Sequence, residues 1–253
     1  MNVNRCINTG IGRGKPFLNP TRSIEVRSEI DSIIDQQIDE WKASVPGADH
    51  HERKNAFNMP YYQRSLAETA LRIRLLRVVE SKALVEIAKK SPEAAQIWAD
   101  YERDEMLHDE MFIQDLEKSG FSRERFMEIE PTLSTKMLVG FFSYLLDHEG
   151  PLGVVAYSYL VEYVNVKLEP EKLEGLKAIL GEELIAGQVA HAHTDVNHDH
   201  PTMVWSCLRY LISDQADIEK LKIYLREFQQ ILSMFFVEMN KEFDVDLAAE
   251  QAA

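Results

Sequence analysis

The sequence predicts an all-α protein in which about eight helices form a single domain. The apolar residues Ile30, Ile33, Ile34, Ile38 and Trp41 fall on one helical face, and later segments repeat this spacing. No segment shows the alternating pattern and tight turn that indicate a β-hairpin. With 253 residues, of which 45% are hydrophobic and 28% charged, the chain has enough apolar material for one large core.

Glycine and proline residues separate the predicted elements. Residues 1–22 are rich in both and are predicted to be a flexible N-terminal arm, followed by one helical domain over residues 23–248. Helices are predicted over about 60–90, 92–118, 122–129, 133–148 and 152–168. A short helix framed by Pro170 and Gly181, a histidine-bearing helix, and helices over about 203–213 and 217–243 complete the domain.

The composition excludes several classes of function. The net charge of -14 argues against a nucleic-acid partner, and no run reaches the roughly 20 apolar residues of a membrane span. The two cysteines, Cys6 and Cys207, are too few for a disulfide framework, structural zinc or an iron–sulfur centre. No apolar run follows the basic N-terminal residues, so we expect a cytoplasmic protein without a signal peptide.

The first candidate metal-binding motif is a histidine-rich segment late in the chain. His191, Asp195 and His198 are spaced i, i+4 and i+7, which places them on one helical face. Imidazole and carboxylate groups on one face suit a borderline divalent metal. His193, Asn197 and His200 form a second stripe with a poorer anionic ligand. The alternative interpretation is a solvent-facing helix end.

The second motif is Glu105-x-x-His108, whose spacing recurs in Asp195-x-x-His198. One helical turn can thereby offer a carboxylate and an imidazole to a shared metal pair, as in helical di-iron proteins. Several other acidic residues crowd this turn, so a solvated acidic face is the alternative.

Isolated glutamates in apolar segments complete the candidate ligands. Glu162 is the only charged residue between Pro151 and Val166, and a buried carboxylate is costly unless a cation or strong hydrogen bonds compensate it. On the second helix, Glu68 lies in line with apolar residues and is favoured as a further ligand, with Glu80 as its competitor.

Together these motifs supply three imidazoles and four carboxylates. The predicted metal ligands are Glu68, Glu105, His108, Glu162, His191, Asp195 and His198. Four anionic charges balance two divalent cations, which favours a two-metal site over a single four-coordinate zinc. The charge count leaves iron and manganese both open.

The ordered set of motifs resembles the haem-oxygenase-like di-iron oxidases and oxygenases, which are related in fold to pyrroloquinoline-quinone synthase and thiaminase. The H-x-x-x-D-x-x-H motif of that family matches His191, Asp195 and His198, its E-x-x-H matches Glu105 and His108, and its isolated glutamate matches Glu162. The resemblance covers about residues 60–215. Some relatives carry a carboxylate two turns before the first histidine, where this sequence has Tyr101.

The resemblance implies a haem-oxygenase-like helical bundle that binds two Fe(II) ions per chain and activates O2 to oxidise a small substrate, without catalytic residues beyond the metal ligands. An amino acid or another carboxylate-bearing metabolite is the expected substrate, and N-oxygenation, desaturation and carbon–carbon cleavage all stay open. Arg72 and Arg209 are candidate anchors for the substrate carboxylate. An external electron donor and a homodimer are compatible with this hypothesis.

Two alternatives remain at this stage. One is a cofactor-free enzyme of the same fold, similar to pyrroloquinoline-quinone synthase or to thiaminase, for which Cys207 is the candidate pocket cysteine. The other is an iron-binding protein without catalytic activity.

Overall fold

The computed structural model describes residues 17–45 and 57–243, and these residues form helices and turns without a β-strand. Residues 1–16 of the predicted arm and residues 46–56 and 244–248 of the predicted domain lie outside the described part. The first helix begins at Pro20, so residues 20–22 belong to a helix rather than to the arm. The all-α prediction is confirmed.

The described residues contain ten α-helices. These are α1 (Pro20–Ser44), α2 (Met59–Lys90), α3 (Pro92–Glu105), α4 (His108–Lys118), α5 (Arg123–Met127), α6 (Leu133–His148), α7 (Leu152–Leu180), α8 (Ala186–Asn197), α9 (His200–Leu211) and α10 (Gln215–Phe243). A 3-10 turn, Glu182–Ile185, leads into α8.

Two predicted boundaries were wrong. The helix predicted over residues 92–118 is divided into α3 and α4 by a break at Met106 and Leu107. The two segments predicted on either side of Glu169 form the single helix α7, which contains Pro170. Proline removes one helical hydrogen bond, but here it does not end the helix.

Capping residues fix where the helices begin. The side chains of Asn19, Asn58 and Ser91 each accept a hydrogen bond from a backbone N–H in the first turn of α1, α2 and α3. Each of these helices also carries proline in its first turn, where no helical hydrogen bond is lost. Local sequence therefore explains where these three helices begin.

Helix α7 lies at the centre of the bundle. It packs against α1, α6, α8, α9 and α10, while α2 packs against α3, α4 and α6. Every residue from Leu152 to Leu160 is buried, which explains the nearly uncharged sequence of this segment. None of the described helices combines the length and hydropathy needed to cross a membrane.

Candidate metal centre

Acidic and imidazole side chains from five helices converge beside the buried half of α7. They are Glu105 at the end of α3, His108 at the start of α4, Glu162 on α7, His191 and Asp195 on α8, and His200 at the start of α9. All are buried except Glu105, which is partly exposed. We call these six residues the ligand cluster.

The ligand cluster divides into two groups that share one carboxylate. Glu105, His108 and His191 place one ligand atom each within 4.8 Å of one another, and so do Glu105, Glu162 and His200. The Glu105 Oε2 atom lies 2.8 Å from Nδ1 of His108, whereas its Oε1 atom lies 3.2 Å from Nδ1 of His200. One oxygen of Glu105 therefore faces each group.

Asp195 has the same relation to the two groups. Its Oδ2 atom lies 3.2 Å from Nδ1 of His191, and its Oδ1 atom lies 3.3 Å from Nδ1 of His200. A third group, formed by Glu169, His191 and Asp195, adds a further carboxylate from α7. Glu105 and Asp195 thus each contact His200 with one carboxylate oxygen and an imidazole of the other group with the second oxygen.

Many ligand atoms of the cluster lack hydrogen bonds. Seven buried atoms have no partner in hydrogen-bonding geometry: Glu105 Oε1, Glu162 Oε2, His191 Nδ1, both carboxylate oxygens of Asp195 and both ring nitrogens of His200. Buried polar atoms in folded proteins are almost always hydrogen-bonded, because leaving one unsatisfied costs about 1–3 kcal/mol. Such a concentration of atoms is compatible with a metal-binding site.

The close packing of carboxylates and imidazoles shifts the pKa values of Glu162, Glu105 and His200. Burial raises the pKa of Glu162 to about 8, and Glu105 and Asp195 add to the rise. Burial also favours the neutral form of Glu105, but the imidazoles of His108 and His200 hold its pKa at about 2. Burial would lower the pKa of His200, yet the surrounding carboxylates raise it to about 12. Without a metal, Glu162 and His200 therefore carry protons at neutral pH.

Two breaks in the helices set the directions of the ligands. Met106 and Leu107 separate Glu105 from His108, so the two residues belong to different helices. Asp199 adopts a left-handed conformation, with φ of 49°, between α8 and α9. A non-glycine residue rarely adopts this conformation. It changes the chain direction immediately before His200.

A tight junction fixes α8 against α4. The Asp115 carboxylate accepts hydrogen bonds from the backbone N–H groups of Gly187 and Gln188 at 2.8 and 2.9 Å, which caps the start of α8. A Cβ atom at Gly187 would lie 2.1 Å from the carbonyl oxygen of Met111 on α4. Only glycine permits this approach, which brings the His108 and His191 rings to a centroid separation of 4.7 Å.

The structure brings together five of the seven ligands predicted from the sequence: Glu105, His108, Glu162, His191 and Asp195. His198 is half exposed and contacts Asp104 at 3.0 Å, while His200, two residues later, is fully buried in the cluster. His198, Asp104 and His200 form an additional group at the edge of the site. In the sequence, His200 could be recognised as a member of the second histidine stripe.

Glu68 lies in a different environment from the cluster. Its carboxylate accepts hydrogen bonds from the backbone and side chain of Thr132 and from the Thr135 hydroxyl, and it pairs with Arg64 at 2.8 Å. All of these partners are internal to the protein, so the burial of Glu68 is compensated without a metal.

The competing residue on α2, Glu80, lies nearer to the cluster. Burial raises its pKa, and the negative charges of Glu102, Glu105 and Glu162 raise it further. Glu80 also lines the same cavity as Glu105 and Glu162. It is therefore the α2 carboxylate that faces the ligand cluster.

A cavity of about 380 Å³ adjoins the cluster. Its walls are mostly apolar and aromatic, and Glu105, Glu162, Glu169 and His191 line one side. Arg72, one of the two candidate anchors for a substrate carboxylate, also lines the cavity. Arg209 does not, because its guanidinium donates to the carbonyl oxygen of Leu18 elsewhere.

Cys207 lies away from the cavity. Its side chain is fully buried, its Sγ atom contacts the carbonyl oxygen of Ala94 at 3.6 Å, and burial raises the pKa of the thiol. A buried, protonated thiol is a poor nucleophile. The residue expected for a thiaminase-like site is therefore not placed to act on a molecule in the cavity.

Comparison with known proteins supports the fold assignment. A crystal structure from Shewanella denitrificans OS217, described as a domain of unknown function with a haem-oxygenase-like fold, matches with a TM-score of 0.75. The match covers 87% of this chain and 94% of that one at 18% sequence identity. No protein-family model and no curated protein matches the sequence. The chain thus has a haem-oxygenase-like fold, and its chemistry has to be argued from its own residues.

Proposed function

We propose that this protein is a non-haem di-iron oxidoreductase that uses O2 to oxidise a small substrate held in the cavity. The observation that carries the proposal is the ligand cluster itself. It consists of two groups that share Glu105, with seven buried ligand atoms lacking hydrogen bonds. The fold alone would not support this proposal, since one helical architecture can host unrelated chemistries.

The donor set fits two iron ions. Glu105, His108 and His191 would hold one ion, and Glu105, Glu162 and His200 the other, with Asp195 able to contact both. Glu169 contributes a fourth carboxylate, so that four negative charges balance two divalent cations. Imidazole and carboxylate ligands without thiolate suit iron and manganese more than a thiolate-preferring metal.

The residues of the protein orient the ligands, set their protonation and form an apolar surface for the substrate. When bound, iron provides the redox chemistry with O2 that amino-acid side chains cannot perform. The Tyr101 hydroxyl donates to Oε1 of Glu162 at 2.8 Å and fixes this carboxylate so that Oε2 faces His200. The apolar cavity wall keeps bulk water away from a substrate beside the cluster. An external donor would supply electrons where the reaction requires them.

The cavity distinguishes this proposal from a protein that only stores or carries metal. A storage site has no need of an apolar cavity next to its ligands, whereas a substrate does. The cofactor-free alternative leaves the unsatisfied ligand atoms unexplained, and Cys207 lies outside the cavity. We therefore favour an enzyme that binds metal and oxidises a small molecule.

The test is an anaerobic titration of the metal-free protein with Fe(II), followed by metal analysis and measurement of O2 uptake. We expect two irons per chain in the wild type and fewer in His191→Ala and Glu105→Gln. His193→Ala is the matched control, because His193 lies on the same helix but is exposed. Fewer than two irons in the wild type, or no effect of His191→Ala, would contradict the di-iron site. Iron binding without substrate-dependent O2 uptake across a panel of amino acids and other carboxylates would contradict the enzyme.

A further inference from the structure

Four cationic side chains line the cavity beside the ligand cluster: Lys42, Arg72, Arg77 and Lys172. Lys42 pairs with Glu171 and Arg77 with Asp109, whereas Arg72 on α2 and Lys172 on α7 form no ion pair within 4.0 Å among the described residues. Apart from them and the acidic residues of the metal side, the wall is largely apolar and includes the rings of Trp41, Tyr157 and Phe236. Such a cavity could accommodate a ring-bearing molecule.

Within the described part of the chain, Arg72 differs from its neighbours on α2 in having no carboxylate partner. Arg64 pairs with Glu68, and Arg74 and Arg77 both pair with Asp109. Arg72, in contrast, donates to the Thr69 hydroxyl at 3.1 Å and stacks on the Phe235 ring at 4.8 Å. Among the described residues, no acidic oxygen lies within 4.0 Å of it. Its guanidinium is held in place while much of its charge is uncompensated.

Lys172 lies in a similar environment. Burial lowers the pKa of its ammonium group, Glu169 opposes the shift, and the positive charge of Arg72 lowers it further. Glu169 is one helical turn away, and no ion pair within 4.0 Å forms between the two residues in the described structure. Two cations that affect each other in a cavity of low dielectric are unfavourable unless an anion joins them.

We infer that Arg72 and Lys172 form a subsite for the carboxylate of a monoanionic ligand whose apolar, ring-bearing body lies against the aromatic wall. This inference deepens the proposed function, because it names the substrate class of the same cavity. A guanidinium and an ammonium group that line one cavity can bind the two oxygens of one carboxylate. The cavity offers the rest of the ligand an apolar surface with aromatic rings.

A zwitterionic α-amino acid is the simplest alternative ligand, because glutamates that line the cavity could hold its ammonium group. An ammonium group could approach Glu169, but next to the same carboxylate it would also face Arg72 and Lys172. A monoanion places no positive charge beside Arg72 and Lys172. Phenylalanine is therefore the comparison ligand that tests whether a zwitterion binds here.

The test uses 4-phenylbutyrate as the probe and 4-phenyl-1-butanol as its uncharged counterpart, with binding measured by isothermal titration calorimetry. Titrations are made on metal-free protein and on protein loaded anaerobically with Fe(II). Loss of one charge-assisted hydrogen bond weakens binding by about tenfold or more. We expect this loss of affinity for 4-phenylbutyrate in Arg72→Met and in Lys172→Met, with little change for the alcohol.

Lys177→Met is the matched control, because Lys177 is exposed on the same helix and pairs with Glu182. Arg72→Lys keeps the charge and should retain most of the affinity if Arg72→Met fails to fold. Equal binding of acid and alcohol, an unchanged affinity in both methionine variants, or tighter binding of phenylalanine would overturn the inference. Carboxylate binding that depends on Arg72 in a protein unable to bind iron would leave the subsite standing and contradict the proposed function alone.

Discussion

Replacing Glu162 by glutamine is the most informative single change, because it should affect the metal-free and the metal-bound protein in opposite directions. Glutamine keeps the size of the side chain and an oxygen that can accept the hydrogen bond from Tyr101. It removes the carboxylate that burial disfavours. The metal-free variant should therefore be more stable than the wild type at neutral pH, although it should bind iron poorly.

The size of the effect follows from the pKa of Glu162, which is raised from 4.5 to about 8. Because the folded protein holds this proton more tightly than the unfolded chain, the wild type loses stability as pH rises through this range. The loss is about 1.4 kcal/mol per pH unit, or nearly 3 kcal/mol between about pH 5.5 and 7.5. Glutamine does not titrate, so the variant avoids this loss, which corresponds to roughly 5–10 °C in melting temperature for a chain of this size.

The assay is urea unfolding of metal-free wild type and Glu162→Gln at several pH values, with Glu183→Gln as an exposed control. Calorimetric Fe(II) binding completes the comparison. Substitutions behind the ligands of metal sites typically lower affinity about 10–100-fold, and loss of the ligand itself should reach at least the upper end. The reasoning would be refuted if the stability difference between the two proteins were independent of pH, or if both bound iron with the same affinity.

Three further predictions concern the other residues of the site. Glu68→Gln should destabilise the fold by about 3 kcal/mol, since it breaks a buried pair, yet leave the iron content unchanged; urea unfolding and metal analysis measure both, and lost iron would return Glu68 to the ligand set. His200→Ala should lower the iron content below two per chain, whereas His198→Ala should not, and the reverse result in metal analysis would favour the spacing predicted from the sequence. Iron binding should release protons, because His200 and Glu162 carry them at neutral pH with pKa values of about 12 and 8. The affinity should therefore rise between pH 6 and 8 and the binding enthalpy should depend on the buffer; a binding enthalpy that is the same in all buffers would contradict this.

The sequence predicted the helical fold and most of the candidate ligands because both depend on local patterns. Helical periodicity identifies the buried faces, and a lone glutamate in an apolar helix, such as Glu162, needs a compensating partner. The choice between His198 and His200 depends instead on the left-handed conformation of Asp199. Pro201 marks the start of a helix nearby, but it does not predict this conformation. The same holds for the break after Glu105, where ordinary residues end the helix.

Glu68 could not be distinguished from Glu80 by periodicity, since both lie in line with apolar residues on α2. The distinction depends on what each carboxylate meets after folding. Thr132 and Thr135 approach Glu68 from a segment more than sixty positions away in the chain. Likewise, the proximity of Arg72 to Lys172 arises only when α2 and α7 are brought to the same cavity. Such partners belong to tertiary structure and leave no local pattern.

The close contact between Gly187 and Met111 has a consequence for recognising other proteins of this kind. A larger residue at position 187 would separate α8 from α4 and carry His191 away from His108, although every ligand remained in the sequence. Asp115, which caps α8 at the same junction, would lose its partners as well. A signature for such chains should therefore include the aspartate and the glycine together with the candidate metal ligands, because these two residues set the spacing between α4 and α8.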